Sequence, residues 1–452
     1  MASLQQQDAL LNRLAAGSAT SPQLEQLLGQ SQATMSRRLR RLISDRKVIR
    51  LGVTRGARYA LLRVVEGIGS AWPLRRIDAQ GKIHELGVLN ALAAGEYFFQ
   101  SNVPGFAWAG IGTGLPYFLQ DQRPGGFLGR AVPRRYPELK LPQRVSDWSD
   151  DHYLRYLVQR GADPVSDLIL GDSALNDFLA SQRRRESVHE NEREQGYPRL
   201  AKEVMEGGLP GSSAHGEHPK FATLLQGERG YRHVLVKFSP PTTGPVGQRW
   251  SDLLIAEHVA HKVLRTHGVS ATMSEILQFA DRTYLEVDRF DREALDGRIG
   301  VTSLLAIDAH LYGTLDSWVA SAGRLHRDRR IDDATLRHIK LISTFGSLIA
   351  NTDRHFGNLA FFDRYDGRFS LAPVYDMLPM LFAPEHDQLL ARVFEPPAPT
   401  SESLSVYGQA RTMAEEYWNA VARDSRISQE FRNIGATCGT TLAALSRTNA
   451  YV

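Results

Sequence analysis

The sequence predicts an α+β chain of two lobes, the first built on a sheet and the second mostly helical, with a small three-helix head in front. Three observations lead there. Residues 1–63 hold eleven Lys/Arg against three Asp/Glu, a net +8, while the rest of the chain is −4, so a basic module precedes a mildly acidic body. From residue 207 a stretch of small residues is followed by two strand patterns and a long helix pattern. From Ser303 the pattern is helical, interrupted by one apolar hairpin flanked by Asn351 to Asn358 and by Val374-Tyr375-Asp376.

At 452 residues the chain has room for two or three domains of about 150 residues each. The divisions fall at 1–63, 64–285 and 286–452. A composition of 42% hydrophobic and 23% charged residues is that of a globular chain, and no run nears the roughly 18 apolar residues of a membrane helix. The opening MASLQQQDALLNRL lacks a basic stretch followed by an apolar core, so no secretory signal is read and a cytoplasmic location is expected. Cys438 is the only cysteine, which excludes an internal disulfide and a cysteine zinc site and suits a reducing compartment.

The head reads as a winged helix-turn-helix. Leu10, Leu11 and Leu14 give the first helix its apolar spacing. Ser21 as N-cap, with Pro22 behind it, starts a second helix over Leu24 to Leu28. After the turn Gly29-Gln30, Ser31 caps a third helix that runs to about Asp45 with Met35, Leu39, Leu42 and Ile43 inward. Val48 to Leu51 and Ala57 to Leu61 are strands, and Thr54-Arg55-Gly56 between them is the wing. Gln32, Thr34, Ser36, Arg37, Arg40 and Arg41 form the outward polar set of the third helix. Arg pairs with guanine edges or phosphate, and Gln with adenine. With Arg50, Arg55 and Arg58 nearby, the head is expected to bind duplex DNA, as a homodimer.

Residues 64–180 say less. Arg76 to Asp78 and Lys82 to Leu86 are strand-like, Gln120 to Arg130 is a loop, and Asp151 to Arg160 and Asp172 to Gln182 are helical. The charged run Ser181 to Gln195 reads as an exposed helix or linker.

Next come Gly207 to Gly216, strand Lys220 to Leu225, a turn, and strand Arg232 to Phe238 with Lys237 near its end. Backbone N–H groups of a small-residue loop can approach phosphate oxygens, and a Lys on the neighbouring strand can reach the α- and β-phosphates. Trp250 to Leu264 is a helix on which Glu257 could pair with Lys237. Taken singly, each is an ordinary surface charge; their order along the chain is what counts. Tyr284 to Arg292 is a strand entering a charged turn, which fits a hinge between the lobes.

Asp353 and, five positions on, Asn358 precede a hairpin of Leu359 to Phe362 and Arg368 to Leu371, which would carry Asp376 back beside Asn358. That order suits phosphoryl transfer from a Mg²⁺-bound nucleoside triphosphate: one carboxylate orients the attacking hydroxyl, and an amide oxygen and a second carboxylate hold the metal.

With these parts in this order, the chain resembles the HipA family of bacterial serine/threonine kinases, closest to its YjjJ-type subgroup with a fused winged head. The resemblance spans about residues 64 to 450. It is strongest at His218-Pro219-Lys220, Val287 to Arg292, Asn351 to Asn358 and Pro373 to Asp376. It implies a two-lobed kinase-like fold with Lys237 on the ATP phosphates, Asp353 as catalytic base, Asn358 and Asp376 as metal ligands, and Asp288 and Phe290 on the adenine hinge. Ser212, Ser213, Gly216, Lys220 and His355 join the expected ATP site. Ser213, or Ser212 beside it, is the expected autophosphorylated residue. Family members act as toxins by phosphorylating aminoacyl-tRNA synthetases, which makes such a protein the implied substrate. Three other readings stay open: a small-molecule phosphotransferase, a DNA-binding regulator whose kinase fold only holds nucleotide, and a two-metal nuclease or hydrolase that would not need Lys237 and Glu257.

Overall fold

The computed structural model describes residues 2–52, 56–206, 218–228 and 230–448. Thr54 and Arg55 of the expected wing, and Ser212, Ser213 and Gly216 of the small-residue stretch, lie outside the described residues.

Helices Ala2–Ala15, Ser21–Leu28 and Gln32–Ser44 pack around Leu10, Leu14, Leu24, Met35, Leu39 and Leu42. Against them lies a three-stranded antiparallel sheet in the order Ala19–Thr20, Arg58–Leu61, Val48–Leu51. Thr20, not Ser21, caps the second helix. Its side chain accepts from the Gln23 N–H, and the Gln23 side chain accepts from the Thr20 N–H at 2.9 Å, a reciprocal box that Ser21 one residue later could not close. Ser31 caps the third helix as expected.

Residues 64–285 carry two separate sheets. In the first, strands run antiparallel in the order Gly110–Thr113, Glu96–Ser101, Ile83–Ala91, Ala71–Ile77, Leu168–Leu170. The second has the order Ser274–Phe279, Arg282–Asp288, Gly230–Phe238, Lys220–Gly227, Val188–His189, with only the last pair parallel. The charged run Ser181 to Gln195 is therefore not simply a helix or linker, because Val188 in it is a buried edge residue of this sheet. A two-residue strand is too short to show alternation. Helix Pro245–Thr266 crosses behind the second sheet and is buried nearly all round, at Leu253, Leu254, Ile255, Ala256, Glu257 and Val259.

The C-terminal part holds helices Leu304–Leu311, Trp318–Arg327, Asp333–Leu348, Tyr407–Arg423 and Gln429–Thr448 around a small sheet of Val301–Ser303, Ala360–Asp363 and Phe369–Leu371. The last two strands are the expected hairpin. An isolated bridge from Val374 to Ala271 then returns the chain to the segment that leads into strand Ser274–Phe279, which brings Asp376 beside the second sheet. Among the described residues no helix is long and apolar enough to cross a membrane.

One apolar core spans the first sheet, the long helix and the helical lobe, with Phe99, Phe106, Phe118 and Tyr365 in mutual ring contact across the boundary. An ionic cluster of Arg289, Asp291 and Arg292, the last two buried, ties the first sheet domain to the expected hinge. Arg292 donates to Asp291 at 2.7 Å and to Asp163 at 2.6 Å, Arg289 donates to both oxygens of Asp291 at 2.9 and 2.8 Å, and Asp291 accepts the Ser166 N–H at 3.0 Å. Burial opposes ionisation of Asp291, and Arg289 and Arg292 outweigh it, holding the carboxyl far below its ordinary range. Asp291→Ala should cost about 3–5 kcal/mol in urea unfolding at neutral pH, because two guanidinium groups are left buried and under-compensated. A depressed carboxylate stabilises above its unfolded pKa, so the deficit should shrink as pH falls below about 4. A neutral-pH cost under 1 kcal/mol would contradict this account.

Candidate active site

Lys237 and Lys220 stand directly opposite each other on antiparallel strands, and both are buried. Burying an ammonium is costly unless carboxylates meet it. Glu257 does so from the long helix, its two oxygens accepting from Lys237 Nζ at 2.7 and 2.8 Å. Asp376 accepts a third hydrogen bond from the same Nζ. Burial raises the Glu257 carboxyl against the pull of Lys237. Burial would also raise Asp376, but Lys237 and Lys220 hold it down at about 2. Lys237 stays protonated, since Asp376 and Glu257 outweigh its desolvation. His261, one helical turn past Glu257 and 3.8 Å from it, is kept neutral by burial, at about 3.

The backbone at Asp376 is left-handed, φ +51°. Asp tolerates this region better than most residues, and such backbone collects at functional sites. Asn351 braces the turn from the other side: its Oδ1 accepts the Asp353 N–H at 3.0 Å and its Nδ2 donates to the Asp376 carbonyl at 3.3 Å. The two halves of the motif are thus tied through one amide. Asn358 Nδ2 donates to the Asp353 carbonyl at 2.8 Å, Tyr375 donates to the Gly357 carbonyl at 2.6 Å, and Trp318 Nε1 donates to the His355 carbonyl at 3.1 Å.

Lys220, Lys237, Glu257, Asp288, Phe290, Asn358 and Asp376 line one cleft between the second sheet and the helical lobe. Asp353 and His355 are exposed beside it, and Asp353 is raised by partial burial, with His355 opposing and Asp376 reinforcing. The Asp288 carboxylate is engaged by Arg232. Its N–H donates to the Met273 carbonyl at 2.9 Å. Phe290 packs against Phe362 and Tyr375, ring centroids 6.2 and 5.7 Å away. Among the further residues that line the cleft are Asp121 and Val165 from the first sheet domain, and Ser303. Asp121 accepts from the Ser303 N–H and hydroxyl, both at 2.6 Å. Nothing in the local sequence marked them, because each reaches the cleft only through long-range packing.

In the head, Gln32, Arg37, Arg40 and Arg41 are exposed on the third helix, with Thr34 and Ser36 half-buried. Arg41 lies 4.0 Å from Asp45, and Arg58 is engaged with Ser18 through its hydroxyl and carbonyl.

Residues 68–179 match the family described as YjjJ-like toxin, middle domain, and residues 212–445 match the HipA-like C-terminal domain. The chain is 36% identical over 429 residues, 94% of its length and 95% of the relative's, to "Toxin YjjJ" of Escherichia coli strain K12. It belongs to the YjjJ-type HipA-like toxin family. Among solved structures it is similar to a HipA of Shewanella oneidensis MR-1, solved with HipB and its operator DNA. That match has a TM-score of 0.53 at 15% identity and covers 82% of this chain and 96% of the other. The HipA-like fold expected from the sequence is thereby shown, and the match speaks for fold alone.

The charge balance of this HipA-like cleft is testable. In Lys237→Met, two carboxylates face each other without their cation, so Asp376 should titrate near or above an ordinary value of about 4. Carboxyl ¹³C NMR titration reads this; a value staying near 2 would show that Lys237 does not set the charge of Asp376.

Proposed function

We propose that the chain is an ATP- and Mg²⁺-dependent protein serine/threonine kinase with a winged helix-turn-helix head that binds duplex DNA. The observation that carries the enzymatic part is Lys237, bonded at once to Glu257 and Asp376 in a cleft shared with Asn358. A structural ion pair needs one carboxylate. A second, on a left-handed turn of the helical lobe, suits a site where a cation and phosphates arrive together.

The donor set fits Mg²⁺: Asp376 is ionised, and bonding of Asn358 Nδ2 to Asp353 leaves the amide oxygen for a cation. When bound, Mg²⁺ neutralises phosphate charge. Lys237 would hold the α- and β-phosphates, oriented by Glu257. Backbone groups of Asp288 to Phe290 would meet the adenine edge. Asp353, exposed next to the cleft, would take the proton of the accepting hydroxyl. Ser213 or Ser212 remains the proposed autophosphorylated residue and a synthetase the proposed substrate, both on family resemblance. A small-molecule phosphotransferase or a nucleotide-holding regulator would share this cleft, and neither is favoured by a specific feature of it.

Asp353→Ala should lower phosphoryl transfer from Mg-ATP by on the order of a hundredfold while leaving nucleotide affinity within a few-fold. Radiolabel transfer to itself and to cell-extract proteins, with isothermal titration for binding, separates the two; undiminished transfer would remove Asp353 from the mechanism.

For the head, support comes from the +8 charge of residues 1–63 and the exposed Arg37, Arg40 and Arg41. Phosphate contacts release counterions, so Arg40→Ala should lower the log–log salt slope by roughly 0.9 and weaken all sequences alike. Arg37→Ala, nearer the helix start, should reduce discrimination between promoter fragments. Absence of duplex binding at low salt by the full chain would recast the head as a protein-docking module.

A further inference from the structure

Beside the nucleotide cleft runs a second groove, of about 520 Å³, between the first sheet domain and helix Leu304–Leu311. One wall carries Thr113, Leu115 and Tyr117; the other carries Leu305 and Ala309, both exposed, four residues apart on one helix face. Its inner end is formed by His355 and Gly357 of the Asp353 loop. Asp121 and Gly357 line both the groove and the cleft, so the two meet at the loop that carries Asp353.

The walls are fixed. Asp121 clamps the N-cap residue Ser303 of the helix, His310 stacks on Tyr117 at 5.2 Å, and Tyr117 donates to Asp363 at 2.6 Å. Thr113 ends strand Gly110–Thr113, which is the edge of its sheet and pairs only with Glu96–Phe99 among the described residues. Ile111, Gly112 and Thr113 are exposed, and at Gly110 and Gly112 nothing lies within 4 Å of where a Cβ would be, so the sheet face beside that edge is open as well. An open edge with unpaired N–H and C=O groups is a recognition surface for another extended chain. A small metabolite would have no use for it.

We infer that this groove is the acceptor site: it takes an extended segment of a protein substrate, pairs its backbone with the edge strand, seats an apolar side chain against Leu305 and Ala309, and presents the neighbouring Ser or Thr hydroxyl to Asp353. The inference rests on the kinase reading and adds to it where the substrate lies and what flanks its hydroxyl. In the transfer, the hydroxyl oxygen bonds to the γ-phosphorus, the bond from that phosphorus to the β-phosphate oxygen breaks, ADP leaves, and the hydroxyl proton passes to Asp353 and on to solvent. The first sheet domain is then the specificity element of the enzyme.

The test uses an oriented library of 15-residue peptides with one Ser or Thr, Mg-ATP, and the full chain as wild type, Leu305→Glu and Ala309→Glu. Both positions are exposed, so folding should hold, and Mg-ATP affinity serves as the control. The wild type should select an apolar residue within two or three positions of the acceptor. Each variant should lose about tenfold or more in kcat/KM on the best peptide, through KM, with kcat nearly unchanged. Equal kcat/KM for variants and wild type would overturn the groove assignment while leaving the kinase standing. If the wild type transfers phosphate to no peptide and no extract protein, the kinase reading fails. The groove is then judged by photo-crosslinking the same peptides to a benzoylphenylalanine at position 305. Capture suppressed by Ala309→Glu keeps it as a peptide site, and absence of capture removes it.

Discussion

A buried ammonium organises this protein. Lys237 cannot be left in the interior without counter-charge. Its two carboxylates come from elements far apart in sequence: Glu257 from the long helix and Asp376 from the strand-to-turn segment of the helical lobe. The sheet, the helix and the second lobe must all be in place for that charge to be satisfied. Lys220, opposite Lys237 in register, adds a second positive charge to the same patch. The cleft is therefore positive on the sheet side and negative at Asp376, the polarity that the proposed metal-bound polyphosphate would need.

The first sheet domain is part of this arrangement and not an appendage. Asp163 and Ser166 reach the Arg289–Asp291–Arg292 cluster, Asp121 caps Ser303, and Tyr365 of the helical lobe donates to Asp167. Each of these contacts is buried or partly buried, and each lands within a few residues of the hinge, the helix beside the cleft, or the hairpin. A hinge between two lobes is where relative motion is absorbed. Here it is held by a third body, so opening of the cleft has to deform a network of charged hydrogen bonds. Rigidity of that kind would, on the proposed reading, keep the groove beside helix Leu304–Leu311 and the Lys237 cleft at a fixed spacing.

Much of the site was legible because its signals are local. The Asp353 to Asn358 spacing, the hairpin, the Tyr375-Asp376 end and the Lys237 strand each follow from short patterns of turn residues and apolar alternation. Glu257 was legible only as a position on a helix; its burial, which decides its role, depends on the helix being covered on all sides. Elements that make few local demands escaped. Strand Ser274–Phe279 alternates weakly, Val188–His189 is two residues long, and the Thr20 cap differs from Ser21 by one position. Asp121 and Val165 escaped for another reason: their neighbours in the cleft lie tens to hundreds of residues away, and no periodicity encodes that. The wing residue Arg55 and the loop residues Ser212, Ser213 and Gly216 fall outside the described residues, so their roles rest on sequence alone.

On the proposed reading, the same triad also sets the order of binding. In the structure Asp376 is bonded to Lys237, and any cation that takes Asp376 must separate it from a buried ammonium. A metal alone gives Lys237 no new partner, so Lys237 loses one of its two counter-charges and keeps only Glu257. A triphosphate alone offers Lys237 an anion but leaves Asp376 facing phosphate oxygens of like charge. Only the metal and the phosphates together satisfy both groups, with Lys237 turning to phosphate while Glu257 keeps its hold and Asp376 turns to the cation. Nucleotide and metal are thus coupled by reciprocal linkage through one lysine, each raising affinity for the other by the same factor. Glu257, raised by burial and shielded from the exchange, is what keeps the ammonium in place while its second partner changes.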